Sequence, residues 1–231
     1  MKTIGLIGGM SWESSAEYYR IINESVKERL GGLHSAQSLM YSVDFAEIEE
    51  LQHRGRWSEA AKVLSDAARR LERGGADFIV LCTNTMHKVA DEISSSVRIP
   101  LLHIADPTAA EIKQRGISRV GLLGTRFTME QEFYRDRLEA KHGLTVIVPS
   151  EPDRDVVHRV IYDELCLGEI NPSSKAAYRQ IMDGLAEKGA EGVILGCTEI
   201  TLLVGPSDAT VPVFDTTRIH AAAAVELALT G

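Results

Sequence analysis

Cysteine is scarce in this chain: Cys82, Cys166 and Cys197 are the three in 231 residues, and none stands in CxxC spacing. That excludes a disulfide-stapled scaffold and the usual structural zinc site, and it points to a reducing compartment. Long apolar runs are missing too, since no stretch approaches the ~20 residues of a membrane-spanning helix. The opening MKTIGLIGGMSWE has an early lysine and an apolar run, but glycines break that run. No small-residue cleavage site follows, so a signal peptide is not expected. Excess positive charge is also absent. A net charge of −8 and a pI near 5.4 argue against a general nucleic-acid or anionic-membrane binder. There is no lysine motif for pyridoxal phosphate and no metal-ligand spacing. These absences leave a cytoplasmic globular protein.

Short apolar runs alternate with amphipathic segments along the whole chain. Residues 3–8, 38–43, 77–82, 119–124, 144–148, 192–196 and 211–214 read as strands buried on both faces. Between them, Trp57, Ala60, Ala61, Leu64, Ala67, Ala68 and Leu71 follow the i, i+3, i+4, i+7 spacing of one helix face. Ser14-x-x-Glu17 and Thr128-x-x-Gln131 read as capping boxes opening helices that Gly31 and Gly143 close. Continuous buried strands with helical crossovers predict α/β architecture with mostly parallel sheets flanked by helices.

The pattern also repeats. IGLIG from Ile4 recurs as VGLLG from Val120, and Tyr18-Tyr19-Arg20 recurs as Phe133-Tyr134-Arg135. GADFIVLCTNT from Gly75 recurs as GAEGVILGCTE from Gly189, and Ile99-Pro100-Leu101 recurs as Val211-Pro212-Val213. Four matches in one order predict two pseudo-symmetric α/β domains. The first spans 1–106 and is completed by a C-terminal helix at 215–231; the second spans 107–214. Reading forward from the glycine–alanine pairs sets Leu81 against Leu195, Cys82 against Gly196 and Thr83 against Cys197. Thr83 is therefore the expected mate of Cys197, and strand alternation turns Cys82 the other way.

Ligands of open α/β sheets bind beyond the carboxyl ends of the strands. Four loops leave those ends, at Gly8–Ser11, Thr83–Thr85, Gly124–Arg126 and Cys197–Glu199. Each precedes a predicted helix, so free N–H groups and a positive dipole end are expected to face an anionic ligand. A nucleotide is disfavoured because GLIGG is not GxGxxG. Ionising a free thiol of pKa ~8.5 at pH 7 costs about 2 kcal/mol. A helix N-terminus returns ~0.3–2 kcal/mol of that, which would prime Cys197. The competing reading of Cys197 is a small buried residue. His87, four residues after Thr83, reads either as a core or surface histidine or as a group that polarises Thr83. Cys166 reads as packing.

GLIGGMSWESS, VLCTNTMH, LLHIAD, VGLLGT and GCTEI together resemble the aspartate/glutamate racemase family along the full chain. The segments around Thr83 and Cys197 are the specific ones. The resemblance implies two pseudo-symmetric domains with the active site in the cleft between them, no cofactor, and a homodimer. It also implies a small amino-acid substrate whose α-carbon is inverted, one residue removing the proton and another supplying it on the opposite face. Two cysteines usually fill those roles; here the first position, immediately before Asn84-Thr85, is Thr83. From the same resemblance Thr83 and Cys197 are the expected catalytic pair. Met10, Ser11, Gln52, Asn84, Thr85, Glu164, Thr198 and Glu199 are the expected substrate-site residues, with Glu164 on the ammonium. A threonine is a weaker acid than a thiol and a poor base. One-sided kinetics, a related isomerase or decarboxylase, and a non-catalytic amino-acid-binding protein are the alternatives that follow.

Overall fold

The computed structural model describes residues 1–230. The chain divides into two compact units: Met1–Ile104 together with the C-terminal residues from His220, and Ala105–Ile219. The division falls at 104/105 and 219/220, against 106/107 and 214/215 read from the sequence.

In the first unit, β1 (Ile4–Gly8), α1 (Trp12–Leu30), β2 (Ser38–Ser42), α2 (Phe45–His53), α3 (Trp57–Arg73), β3 (Phe78–Leu81), α4 (Ala90–Ser95) and β4 (Leu101–Leu102) follow in turn. A five-residue 3₁₀ turn, Thr85–Val89, lies between β3 and α4. The sheet order is β2-β1-β3-β4, and every pairing is parallel. Alternation along the strands feeds two cores. Ile7, Ile79 and Leu81 pack with Leu64, Ala68 and Leu71 of α3. Ile4, Leu6, Phe78, Val80 and Cys82 pack with Tyr18 and Ile22 of α1 and with Ala221 and Val225. Each fully buried aliphatic side chain of this kind contributes roughly 1.5–3 kcal/mol relative to exposure.

The second unit contains α5 (Ala105–Gln114), β5 (Arg119–Gly124), α6 (Arg126–Glu130), α7 (Glu132–Asp136), β6 (Thr145–Ile147), α8 (Glu151–Asp163) and α9 (Pro172–Glu187). It continues with β7 (Gly192–Gly196), α10 (Ile200–Leu203), β8 (Val213–Asp215) and α11 (Thr216–Leu229), whose residues from His220 belong to the first unit. Its sheet, β6-β5-β7-β8, is again wholly parallel and repeats the first in order. Gly124 and Gly196 let β5 and β7 run together at their ends, since a Cβ on either would come 2.9 Å from a backbone oxygen of the other strand.

Three sequence expectations are corrected. β2 and β6 are edge strands and only half-buried, because one side of each has no strand beside it. The two-residue strand β4 was not anticipated, being too short for a period to show. Both helix starts lie three residues earlier than the boxes suggested. Ser11 caps α1 by accepting from the Ser14 N–H at 3.3 Å, and Thr125 caps α6 by accepting from the Thr128 N–H at 3.3 Å. In each case the residue read as the cap is the one whose amide is capped. Gly31 ends α1 with φ 74°, as its position suggested.

Candidate active site

Register fixes how the two halves correspond. Ile7 pairs with Leu81 across β1 and β3, and Leu123 pairs with Leu195 across β5 and β7. Counting two residues beyond Leu81 and Leu195 reaches Thr83 and Cys197, each just past the carboxyl end of its unit's third strand. Cys82 faces the other way, fully buried among Tyr18, Ile22 and Val80, where burial pushes its thiol pKa far up. Cys197 shares the face of Leu195 and Val193.

Cys197 is 9% exposed, and its Sγ–H donates to Glu199 Oε2 at 3.0 Å. The Thr198 hydroxyl donates to the same oxygen at 2.9 Å, so one buried carboxylate oxygen gathers both protons. Burial first, then the Glu199 charge, raises the thiol pKa well above its ordinary value. This overturns the expectation of a thiol primed by a helix N-terminus. α10 begins only at Ile200 and has four residues, too short to offset desolvation beside an anion. The thiol rests protonated, with its proton acceptor already in contact.

Around this pair lie groups that no spacing announced. Tyr178 is buried with its hydroxyl donating to the Val157 carbonyl at 2.9 Å. Burial, then the nearby Cys197, Glu164 and Cys166, push its pKa well up. Glu164 stands at the C-terminal end of α8, where the chain turns through Leu165–Leu167 to Gly168 at φ 77°. Ser174 Oγ donates to its Oε1 at 2.9 Å, while among the described residues its buried Oε2 has no hydrogen-bond partner. A buried carboxylate oxygen in that condition is a place for a cationic or hydrogen-bonding ligand. Ser174 and Tyr178 carried no sequence signal, because only the packing of α9 brings them here. Cys166 packs against the same apolar cluster.

In the first unit the turn after β3 is more tightly held. Thr83, Asn84 and Thr85 are all buried. The His87 ring lies within hydrogen-bond distance of the Thr83 carbonyl, Nδ1 to O 2.7 Å, so its contact is with the backbone and not with the hydroxyl. Gln52 is buried on α2, its amide donating to the Met86 sulfur at 2.9 Å. Met10 packs into the apolar cluster of α2 and α3. Ser11 spends its hydroxyl on the α1 cap.

Three of the loop amides expected to face an anion are engaged within the protein. The Gly9 N–H goes to Ser15 Oγ at 2.7 Å, the Thr83 N–H to the Leu81 carbonyl at 2.9 Å, and the Arg126 N–H to His158 Nδ1 at 3.2 Å. Gly9 is required there: its φ is 93°, and a Cβ would come 2.2 Å from the Val43 carbonyl oxygen. No group of three or more His, Cys, Asp or Glu that could hold a metal ion occurs among the described residues. No helix among them is long and apolar enough to cross a membrane.

Two wholly parallel four-stranded units of one topology, with Thr83 and Cys197 in the turns after matching strands, define a duplicated α/β protein. The chain belongs to the Asp/Glu/Hydantoin racemase family, whose model matches residues 7–224. It is 61% identical to a candidate Asp/Glu racemase from Yersinia pestis, each chain covered in full, with a TM-score of 0.94. An aspartate racemase homologue from Pyrococcus horikoshii is 38% identical, with 99% of each chain covered and a TM-score of 0.85. The broad specificity amino-acid racemase RacX of Bacillus subtilis is 24% identical over 96% of each sequence.

Proposed function

We propose that this protein is an amino-acid racemase of the aspartate/glutamate type that moves the α-proton between Cys197 and Thr83 without a cofactor. The observation that carries the reading is the thiol–carboxylate contact of Cys197 and Glu199 at a position whose repeat mate is Thr83. Glu199 takes the thiol proton and leaves a thiolate. The thiolate removes the α-hydrogen as a proton, and the electron pair left on carbon spreads into the substrate carboxylate. The Thr83 hydroxyl gives its proton to the opposite face. Solvent then reprotonates the Thr83 oxygen and receives the proton held on Glu199, which resets both groups. Glu164, through Oε2, meets the substrate ammonium. Met10, Ser11, Gln52, Asn84, Thr85 and Thr198 shape the site around the substrate. Family resemblance supports a cytoplasmic homodimer acting on a small free amino acid.

The test is α-hydrogen exchange in D₂O, followed separately for L- and D-aspartate and L- and D-glutamate, with and without EDTA. The expected result is deuterium uptake, unaffected by EDTA, that outruns inversion for one enantiomer only. That enantiomer presents its hydrogen to Cys197; the other must lose its hydrogen to a threonine alkoxide, which forms at great cost. A related decarboxylase or isomerase would leave all four amino acids unexchanged while turning over an activated dicarboxylate. A binding protein would exchange nothing.

A further inference from the structure

His87 is a buried polar side chain in direct contact with the Thr83 turn that the mechanism above does not use. Both ring nitrogens are engaged. The Ile104 N–H donates to Nε2 at 3.1 Å, so Nε2 carries no proton, and Nδ1–H donates to the Thr83 carbonyl at 2.7 Å. The ring is 3% exposed. His103 lies against it with ring centroids 4.4 Å apart, and His220 at 5.9 Å. His220 works in parallel: its Nε2 donates to the Leu102 carbonyl at 2.9 Å and its Nδ1 shares a hydrogen bond with the Tyr18 hydroxyl at 2.9 Å. The residues on either side of His103, just at the end of β4, are thus each held by a histidine ring nitrogen.

We infer that His87 is a positioning residue for Thr83: its Nδ1–H bond to the Thr83 carbonyl, braced by Ile104 on Nε2, sets the direction in which the Thr83 hydroxyl delivers its proton. The repeat supports a local role of this kind. The position matching His87 in the second unit is Thr201, whose hydroxyl donates to the Thr198 carbonyl at 2.7 Å. Each half pins its reactive turn through a carbonyl oxygen. The first does so with a rigid ring that also reaches a neighbouring strand end, the second with a short hydroxyl. The inference rests on the racemase reading, because only that reading gives Thr83 a proton to deliver.

Two substitutions separate positioning from general packing. Asn places its amide nitrogen where His has Nδ1, so His87→Asn keeps the donor to the Thr83 carbonyl and loses the Ile104 bond. Gln places its amide oxygen where His has Nε2, so His87→Gln keeps the Ile104 bond and loses that donor. The expected result is that His87→Gln slows inversion by about tenfold to a hundredfold, the loss typical of a group displaced by about 1 Å. Deuterium uptake into the enantiomer facing Cys197, and its KM, should stay near wild type, and His87→Asn should retain most of the inversion rate. A parallel loss of inversion and one-face exchange in both variants overturns the inference, and so does an unchanged rate in His87→Gln. Wild-type protein supplies a second measurement independent of either variant's folding: long-range ¹H–¹⁵N correlation should show His87 with its proton on Nδ1, and a proton on Nε2 overturns the inference. A wild type that exchanges no amino acid at all overturns the racemase reading and this inference together. Exchange in the wild type with equal losses in the two variants overturns this inference alone.

Discussion

The turns after β3 and β7 have the same strand order before them and the same offset from Leu81 and Leu195, yet they carry different groups. After β7, Cys197 has a carboxylate within 3.0 Å of its sulfur, and the helix that follows has only four residues. After β3, Thr83 is followed by a 3₁₀ turn of five residues with His87 braced on its carbonyl. The position matching Glu199 is Thr85, so the turn after β3 has neither the carboxylate nor the thiol at the matching positions. Asymmetry at one residue could be drift in a duplicated fold. Asymmetry at the thiol position and at its carboxylate partner is what the proposed mechanism requires, in which Cys197 takes the α-proton and Thr83 gives one.

Replacing the reactive residues themselves tests that asymmetry most severely. Cys197→Ser should abolish α-hydrogen exchange from both enantiomers, a loss of at least about 10³-fold, because a serine alkoxide cannot stand in for a thiolate at neutral pH. Thr83→Cys should instead raise exchange from the slow enantiomer by restoring a thiol on that face. The two directions of inversion must keep equal kcat/KM, since the equilibrium constant between enantiomers is one. Deuterium uptake by each enantiomer, rather than turnover, is therefore the measurement. Equal uptake by both enantiomers in the wild type would break the comparison.

The next effect is smaller and concerns the carboxylate. Glu199→Gln keeps a hydrogen-bonding group near Cys197 but cannot hold its proton, so exchange should fall by about 10²-fold, within the range of a lost general base. The thiol itself should ionise more readily, because after burial the Glu199 charge is what raises its pKa. Iodoacetamide labelling of Cys197 against pH would show the titration moving down in the variant. Stability gives the same sign. A thiol whose folded pKa is raised contributes its full stability below the unfolded value of ~8.5 and loses it as pH climbs toward the folded value. Glu199→Gln should therefore lose less stability in alkali than the parent. An upward shift of the labelling curve would mean that Glu199 is not the group setting the thiol.

Much of this was legible in the sequence, and what was not has a physical reason. The repeat of glycine–alanine and apolar strand gave the two units and the equivalence of Thr83 with Cys197, because sheet register depends on strand period and loops absorb the drift. Glu199 was visible as a neighbour of Cys197, but its contact depends on a turn in which residues two apart meet, which no helical spacing predicts. The error over Cys197 came from assuming a full helix after every strand; α10 is too short to supply the field. Gly9 was legible as part of the loop after the first strand, whereas Ser15, which takes its N–H, lies six residues away and appears only once α1 is folded. Ser174 and Tyr178 share α9 but meet Glu164 and the Val157 carbonyl only once α9 packs on α8, and His103 and His220 meet His87 only in the folded first unit.

The smallest effect tests the symmetry where it holds. Ser11 and Thr125 each follow the first strand of their unit by three residues or one, and each caps a helix through the same side-chain bond to the amide three residues on, at 3.3 Å. Removing the hydroxyl in Ser11→Ala or Thr125→Ala should cost about 1 kcal/mol of folding stability apiece, as lost N-caps do. Ser11 has more invested locally, since its carbonyl also accepts from the Ser15 hydroxyl at 2.9 Å, and Ser15 in turn holds the Gly9 amide at 2.7 Å. That carbonyl is retained in Ser11→Ala, so the loop keeps its shape and the two costs should stay comparable. Urea unfolding of the two variants measures this directly. A Ser11→Ala loss several times that of Thr125→Ala would mean that the hydroxyl, and not only the backbone, holds the Gly8–Ser11 loop. The two units would then differ at their first strands as well as at their third.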